Sequence, residues 1–136
     1  MDLPDVNVLV YALRGDLEHH PVSQAWLNDV VNAEAQFGVS RLALSAVVRI
    51  ATSRKIFRQP STLAEAFEFC RALATQPNCL LVEPGERHWG IFQRLCTEGD
   101  VTDAWFAALA IEHGCEWITF DTGFARFAGL KWRMPD

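Results

Sequence analysis

The sequence predicts an α/β fold built on a mainly parallel sheet. Two observations carry that reading. Short apolar runs alternate with longer stretches of helical periodicity along the whole chain, the pattern of strand–helix units. Half of the 136 residues are apolar and only 21% are charged, which supplies a sizeable core for one domain spanning 1–136. No internal repeat or linker-like segment divides it.

Taken in order, Met1–Asp5 reads as a strand and Val6–Leu13 as a helix, with Asp5 ending the strand and capping the helix. Val22–Ala35 is a second helix, with Ala25, Trp26, Val30 and Ala33 on its apolar face. Gln36–Ser40 is a short strand, and Arg41–Arg54 a helix carrying Leu42, Leu44, Val47, Val48 and Ala51. Lys55–Pro60 is a loop. Thr62 and Glu65 form a capping box for a helix over Leu63–Thr75. Cys79–Val82 is an apolar run bounded by turn residues, the mark of a buried strand. Glu86–Leu95 is a helix. The next helix is opened by Asp103, capped by Thr102 and stopped at Gly114. It is apolar nearly all round, so burial is expected. Cys115–Phe120 is a strand ending at Asp121, Phe124–Phe127 one helical turn, and Leu130–Met134 a last edge strand.

Composition excludes several classes. A net charge of −5 does not suit a general electrostatic nucleic-acid binder. Carboxylates gathered for metal binding would themselves lower the charge. Basic residues are nevertheless concentrated: Arg41, Arg49, Arg54, Lys55 and Arg58 share a segment without a single acid. That segment suits either phosphate contact or a solvated face. No window approaches the roughly 20 apolar residues of a membrane span. No basic stretch followed by a long apolar run opens the chain, so a cytoplasmic protein is expected. The cysteines, Cys70, Cys79, Cys96 and Cys115, lack zinc-ligand spacing and read as buried reduced thiols. His19 and His20 are adjacent, and adjacent helical residues point apart, so they make a poor chelate. Trp26, Trp89, Trp105 and Phe92 fall on helix faces and are expected in the core.

Three acids share one kind of address. Asp5 ends the first strand, Asp121 ends a later one, and Asp103 starts the helix before that later strand. Parallel neighbouring strands would project Asp5 and Asp121 from the same sheet edge. Clustered carboxylates raise one another's pKa or recruit a cation. Oxygen donors suit Mg²⁺ or Mn²⁺, and such ions serve phosphodiester hydrolysis. Plain helix capping by the same three acids remains the competing reading. A phosphotransfer enzyme using Asp5 as nucleophile is disfavoured, because Asn7 stands two residues on and no phosphate-cradling glycine loop is present.

Three motifs add a resemblance. Asp5-Val6-Asn7-Val8-Leu9-Val10-Tyr11-Ala12 resembles the opening of a PIN domain. Val101-Thr102-Asp103-Ala104 with Ala107 to Cys115 resembles its middle, and Ile118-Thr119-Phe120-Asp121 with Phe124 to Phe127, Gly129 to Trp132 and Pro135 its end. Length, order and spacing are similar to toxins of the VapC type. The resemblance implies a three-layer α/β/α fold and a Mg²⁺-dependent endoribonuclease of a kind that often acts on tRNA or rRNA, with Mn²⁺ the other ion the carboxylates suit. It implies a cognate antitoxin as partner and a homodimer, with no membrane association. Asp5, Asp103 and Asp121 match catalytic, metal-binding acids, while Asn7 and Thr119 match polar supports. One departure stands out: relatives often carry a glutamate early in the helix that is here Arg41–Arg54. Leu44 and Ser45 occupy that region. Asp100 is the nearest substitute. The missing acid keeps a second reading open, a PIN-fold protein that binds RNA or its antitoxin without cutting. The helices Val22–Ala35 and Arg41–Arg54 are candidate walls of an antitoxin groove.

Overall fold

A computed structural model describes residues 1–136. Five strands, β1 (Asp2–Pro4), β2 (Phe37–Val39), β3 (Cys79–Leu81), β4 (Glu116–Ile118) and β5 (Trp132–Arg133), form one sheet in the order β3-β2-β1-β4-β5. Every pairing is parallel. The six helices are α1 (Val6–Leu13), α2 (His20–Asn32), α3 (Arg41–Ala51), α4 (Leu63–Ala74), α5 (His88–Leu95) and α6 (Val101–His113). A 3-10 turn, Thr122–Arg126, follows β4.

The strands are short, yet their side chains sort cleanly to two faces because successive residues point in opposite directions. Leu3, Trp117, Phe106, Leu109 and Leu95 join the core under α5 and α6. On the other face, Leu9, Phe37, Val39, Val47, Cys70 and Leu73 join strands to α1, α3 and α4. Ile118 packs with Val8 and Trp26 beside them. The result is the α/β/α layering expected from the sequence. The chain winds outward from β1 through β2 to β3, then returns to lay β4 on the opposite side of β1. The gap between the carboxyl ends of β1 and β4 is therefore the point where the winding reverses, which is where such sheets bind ligands.

Several local expectations hold. Thr62 and Glu65 form the capping box, and Gly114 ends α6 at φ 65°, a left-handed conformation that glycine adopts without a Cβ penalty. All four cysteines are free, but only Cys70 and Cys115 are buried as expected; Cys79 and Cys96 are half-buried. Three expectations need correction. The cap of α6 is Asp100, not Thr102: the Asp100 side chain accepts from the Asp103 N–H at 3.0 Å, and the helix begins at Val101. A Thr and an Asp within three residues are both good caps, and spacing alone does not choose between them. β3 is an edge strand rather than a buried one, with Leu80 and Leu81 each 40% exposed. An apolar run of four does not reveal whether its strand has one neighbour or two. Trp89 is 69% exposed and is not a core residue, because α5 turns that face outward. α2 also starts earlier and ends sooner than the periodicity suggested, and α3 stops at Ala51.

The capping assignment is testable. Asp100→Ala should cost about 1 kcal/mol in urea denaturation, and Asp100→Asn should restore most of it.

Candidate functional site

Asp5 follows β1 directly. Its backbone N–H donates to the Ile118 carbonyl at 2.8 Å, extending the β1–β4 pairing by one residue. The side chain turns back to accept from the Val6 N–H at 2.6 Å, which caps α1. Its other oxygen accepts from the Thr119 hydroxyl at 2.7 Å. Thr119 is fully buried at the end of β4, and its Oγ1 also accepts from the Asp121 N–H at 3.0 Å and from Asn7 Nδ2 at 3.3 Å. Asn7 Oδ1 in turn accepts from the Phe120 N–H at 3.4 Å. One donor and two acceptor positions are all that a hydroxyl has, so Thr119 is fully used in tying Asp5, Asn7 and Asp121 together.

Asp121 caps the 3-10 turn by accepting from the Gly123 N–H at 2.8 Å. Asp103 lies in the first turn of α6, where the helix dipole favours a carboxylate. Its Oδ2 accepts from Arg126 Nη2 at 3.0 Å. Asp5, Asp103 and Asp121 line one cleft of about 590 Å³, together with Asn7. The opposite wall is apolar, with Val10, Leu17, Ile50 and Phe57. A second cleft lies at the amino end of the sheet, beside Asp2 and Phe37. It too carries three aspartates, Asp2, Asp29 and Asp136, but Arg133 lies among them and pairs with Asp2 at 2.8 Å and Asp136 at 3.3 Å.

Electrostatics mark the first cleft. Burial pushes the Asp5 carboxyl up to about 6, against the lowering hydrogen bonds from Thr119 and Val6, and the charges of Asp103 and Asp121 add to the rise. Burial also raises Asp103, opposed by Arg126 and reinforced by Asp100 and Asp121. Oxygen donors without sulfur or imidazole would suit a hard cation such as Mg²⁺ or Mn²⁺. As the side chains stand, no three acidic, histidine or cysteine groups come close enough together to hold an ion.

The other sequence candidates divide. Asn7 and Thr119 are joined to the acids as described. Asp100 is exposed, spends an oxygen on its cap and does not line the cleft. Ser45 is exposed and donates to the Leu42 carbonyl at 3.2 Å, away from the acids. So α3 gives the cleft an apolar residue, Ile50, and no carboxylate.

A family model described as PIN domain matches residues 3–130. Ribonuclease VapC43 of Mycobacterium tuberculosis is 38% identical over 136 residues, covering 96% of this chain and 92% of that protein. Ribonuclease VapC31 of the same organism is 39% identical over 140 residues, covering 99% of each. The chain belongs to the PIN-domain family, in its VapC branch. The fold of this PIN domain is also that of a solved complex, VapBC2 from Rickettsia felis bound to a promoter DNA fragment, at a TM-score of 0.72 and 16% identity over 98% of both chains. FitAcB from Neisseria gonorrhoeae gives 0.68 at 17% identity, covering 99% of this chain and 98% of that one.

Two residues escaped the sequence reading. Arg14 is buried, donates to the Gln59 carbonyl at 2.8 Å and Ser61 Oγ at 3.2 Å, and lies 4.0 Å over the Phe57 ring. It pins the loop whose Ile56 and Phe57 line the PIN-domain cleft. Arg126 is the other, and it contacts Asp103 directly. Arg14 has no sequence signal of its own, and Arg126 lies inside the Phe124–Phe127 motif, which does not say what its side chain contacts. A lone arginine at the end of a helix or turn reads as a favourable dipole charge.

The raised Asp5 carboxyl has a cost in stability. Its native value, about 6, stands above its ordinary 3.8, so the folded chain binds the extra proton between those values. Stability therefore falls as pH rises through that window and levels off above about 6. Asp5→Asn removes the charge and should stabilise the chelator-treated protein by roughly 1–3 kcal/mol at pH 8, with little gain at pH 4. Urea denaturation at both pH values checks this.

Proposed function

We propose that this chain is a divalent-metal-dependent endoribonuclease, the toxin of a toxin–antitoxin pair acting in the cytoplasm. The observation that carries the reading is the meeting of Asp5, Asp103 and Asp121 on one cleft at the winding reversal. Support comes from relatives that are named VapC ribonucleases and are 38% and 39% identical.

The donor set fits Mg²⁺ or Mn²⁺ in kind: carboxylate oxygens, charge-coupled, one of them buried and oriented by two hydrogen bonds. Asp5, Asp103 and Asp121 would hold the ion, with Asn7 and Thr119 fixing the first and last of them. When bound, the ion supplies water activation and charge relief at a phosphodiester. The chain's own residues supply the rest. Thr119 and the Val6 N–H hold both oxygens of Asp5. Arg54, Lys55 and Arg58 stand exposed on the same segment as Ile56 and Phe57, so they line the approach for an RNA backbone. Tyr11 and Phe57 offer aromatic faces beside the acids.

In this reading an antitoxin covers the cleft against its apolar wall. Homodimer contacts draw on exposed apolar groups such as Trp89 and Val101. The alternative, a PIN-fold protein that holds RNA or its antitoxin without cutting, draws on the absence of an acid from α3 and on the open spacing of the three carboxylates.

Cleavage of cellular RNA by purified, antitoxin-free protein with Mn²⁺ tests the proposal. Asp5→Ala and Asp121→Ala should each lower the rate by roughly 100-fold or more, and a chelator should do the same. The rate should also fall as pH drops through about 6, because a ligand carboxyl must be ionised. Lys55→Glu with Arg58→Glu should weaken RNA binding and flatten its salt dependence. Undiminished cleavage in Asp5→Ala or in chelator contradicts the reading; no cleavage of any RNA by the intact chain favours the alternative.

A further inference from the structure

Arg126 ends the 3-10 turn and reaches across to α6. Its Nη2 donates to Asp103 Oδ2 at 3.0 Å, its Nη1 donates to the Gly123 carbonyl, and its Cζ lies 4.6 Å over the Phe127 ring. Two glycines make room for it. A Cβ on Gly99 would come within 2.8 Å of Arg126 Cζ, and one on Gly123 within 2.7 Å of Nη1. The only glycines at positive φ are Gly114 and Gly129. At positions 99 and 123, then, glycine provides space rather than backbone freedom. Two separate loops, one before α6 and one after β4, thus form a seat for a single guanidinium, and the seat opens on Asp103.

Arg126 is the one cation paired with any of the three acids of the cleft. It takes one oxygen of Asp103 and leaves the other without a hydrogen bond from the chain. The three carboxylates line one cleft without closing to ion-holding distance. Repulsion among them calls for a positive charge, and Arg126 supplies it from within the chain.

We propose that Arg126 is a resident counter-cation that holds Asp103 back from Asp5 and Asp121, and that it is exchanged for the divalent ion, so that it sets the metal affinity of the site. This rests on the metal-site reading above. A guanidinium beside a ligand relieves the carboxylates while no ion is present, and repels an incoming cation. The sign of its effect separates this role from a bracing one. A group that merely positions Asp103 for coordination would weaken metal binding when removed. A competing cation strengthens binding when removed.

Isothermal titration of MnCl₂ into metal-free protein reads that sign directly. Arg126→Gln should bind Mn²⁺ roughly tenfold more tightly than the unaltered chain, and Arg126→Lys, which keeps the charge, should rise less. Gly99→Ala keeps the arginine but puts a methyl group in its seat, and should shift affinity in the same direction as Arg126→Gln. Without metal, Arg126→Gln should melt at a lower temperature, and Mn²⁺ should raise its Tm more than that of the unaltered chain. Equal or weaker Mn²⁺ binding by Arg126→Gln overturns the proposal while leaving the metal site standing, provided Asp103→Asn abolishes binding to the unaltered chain. If neither the unaltered chain nor Arg126→Gln shows binding that Asp103→Asn removes, the metal-site reading falls and this proposal falls with it. Should Arg126→Gln fail to fold, Gly99→Ala carries the test, tighter binding supporting the proposal and unchanged or weaker binding overturning it.

Discussion

A single buried hydroxyl organises the cleft. Thr119 Oγ1 donates to Asp5 and accepts from Asn7 and from the backbone of Asp121. Through those three bonds the ends of β1 and β4, and the first turn of α1, share one atom. Its burial matters as much as its bonds. In a low-dielectric surrounding each hydrogen bond is stronger and each unmet one costlier, so the arrangement has little freedom to relax. The geometry around Asp5 is thereby set by the core and not by solvent-exposed loops.

That hydroxyl is useful only because of where the sheet puts it. Parallel pairing of β1 with β4 brings Pro4 level with Ile118, and the next residues on each strand then reach the same edge. The reversal of winding at β1 opens a crevice at that edge. α6 contributes from the side: its apolar body, Ala104 and Phe106 to Ala110, is buried under the sheet, and that burial carries Asp103 to the cleft. Asp100 determines where the helix begins, and hence where in its first turn Asp103 stands. An exposed cap thus serves the site without belonging to it.

The sequence made the layering, the parallel sheet and most helices legible, because their apolar periodicities are long or their caps distinct. Thr62 with Glu65 and Gly114 are examples. It also made Asp5, Asp103 and Asp121 legible as a group, since strand ends and helix starts can be placed from the pattern, whereas Asn7 and Thr119 were legible only through the resemblance of the motifs that hold them. What it hid is of another kind. Whether Cys79–Leu81 is central or at an edge depends on strand order, which no local pattern encodes. Trp89 looked like core because a ring on an amphipathic helix does not declare which neighbour it lacks. The contact of Arg126 with Asp103 joins residues 23 apart through two glycines that carry no side chain to mark them. The choice of Asp100 over Thr102 as cap turns on one hydrogen bond.

Asp5 is thus a buried carboxyl held by Thr119 and affected by the charges of Asp103 and Asp121. The most direct measurement is an NMR titration of the Asp5 carboxyl carbon in metal-free protein, beside the near-isosteric Thr119→Val. A midpoint near 6 is expected for the unaltered chain, rising further in Thr119→Val as the stabilising hydrogen bond is lost. An Asp5 midpoint near 3.8, or one that does not move when the hydroxyl is removed, would contradict the account.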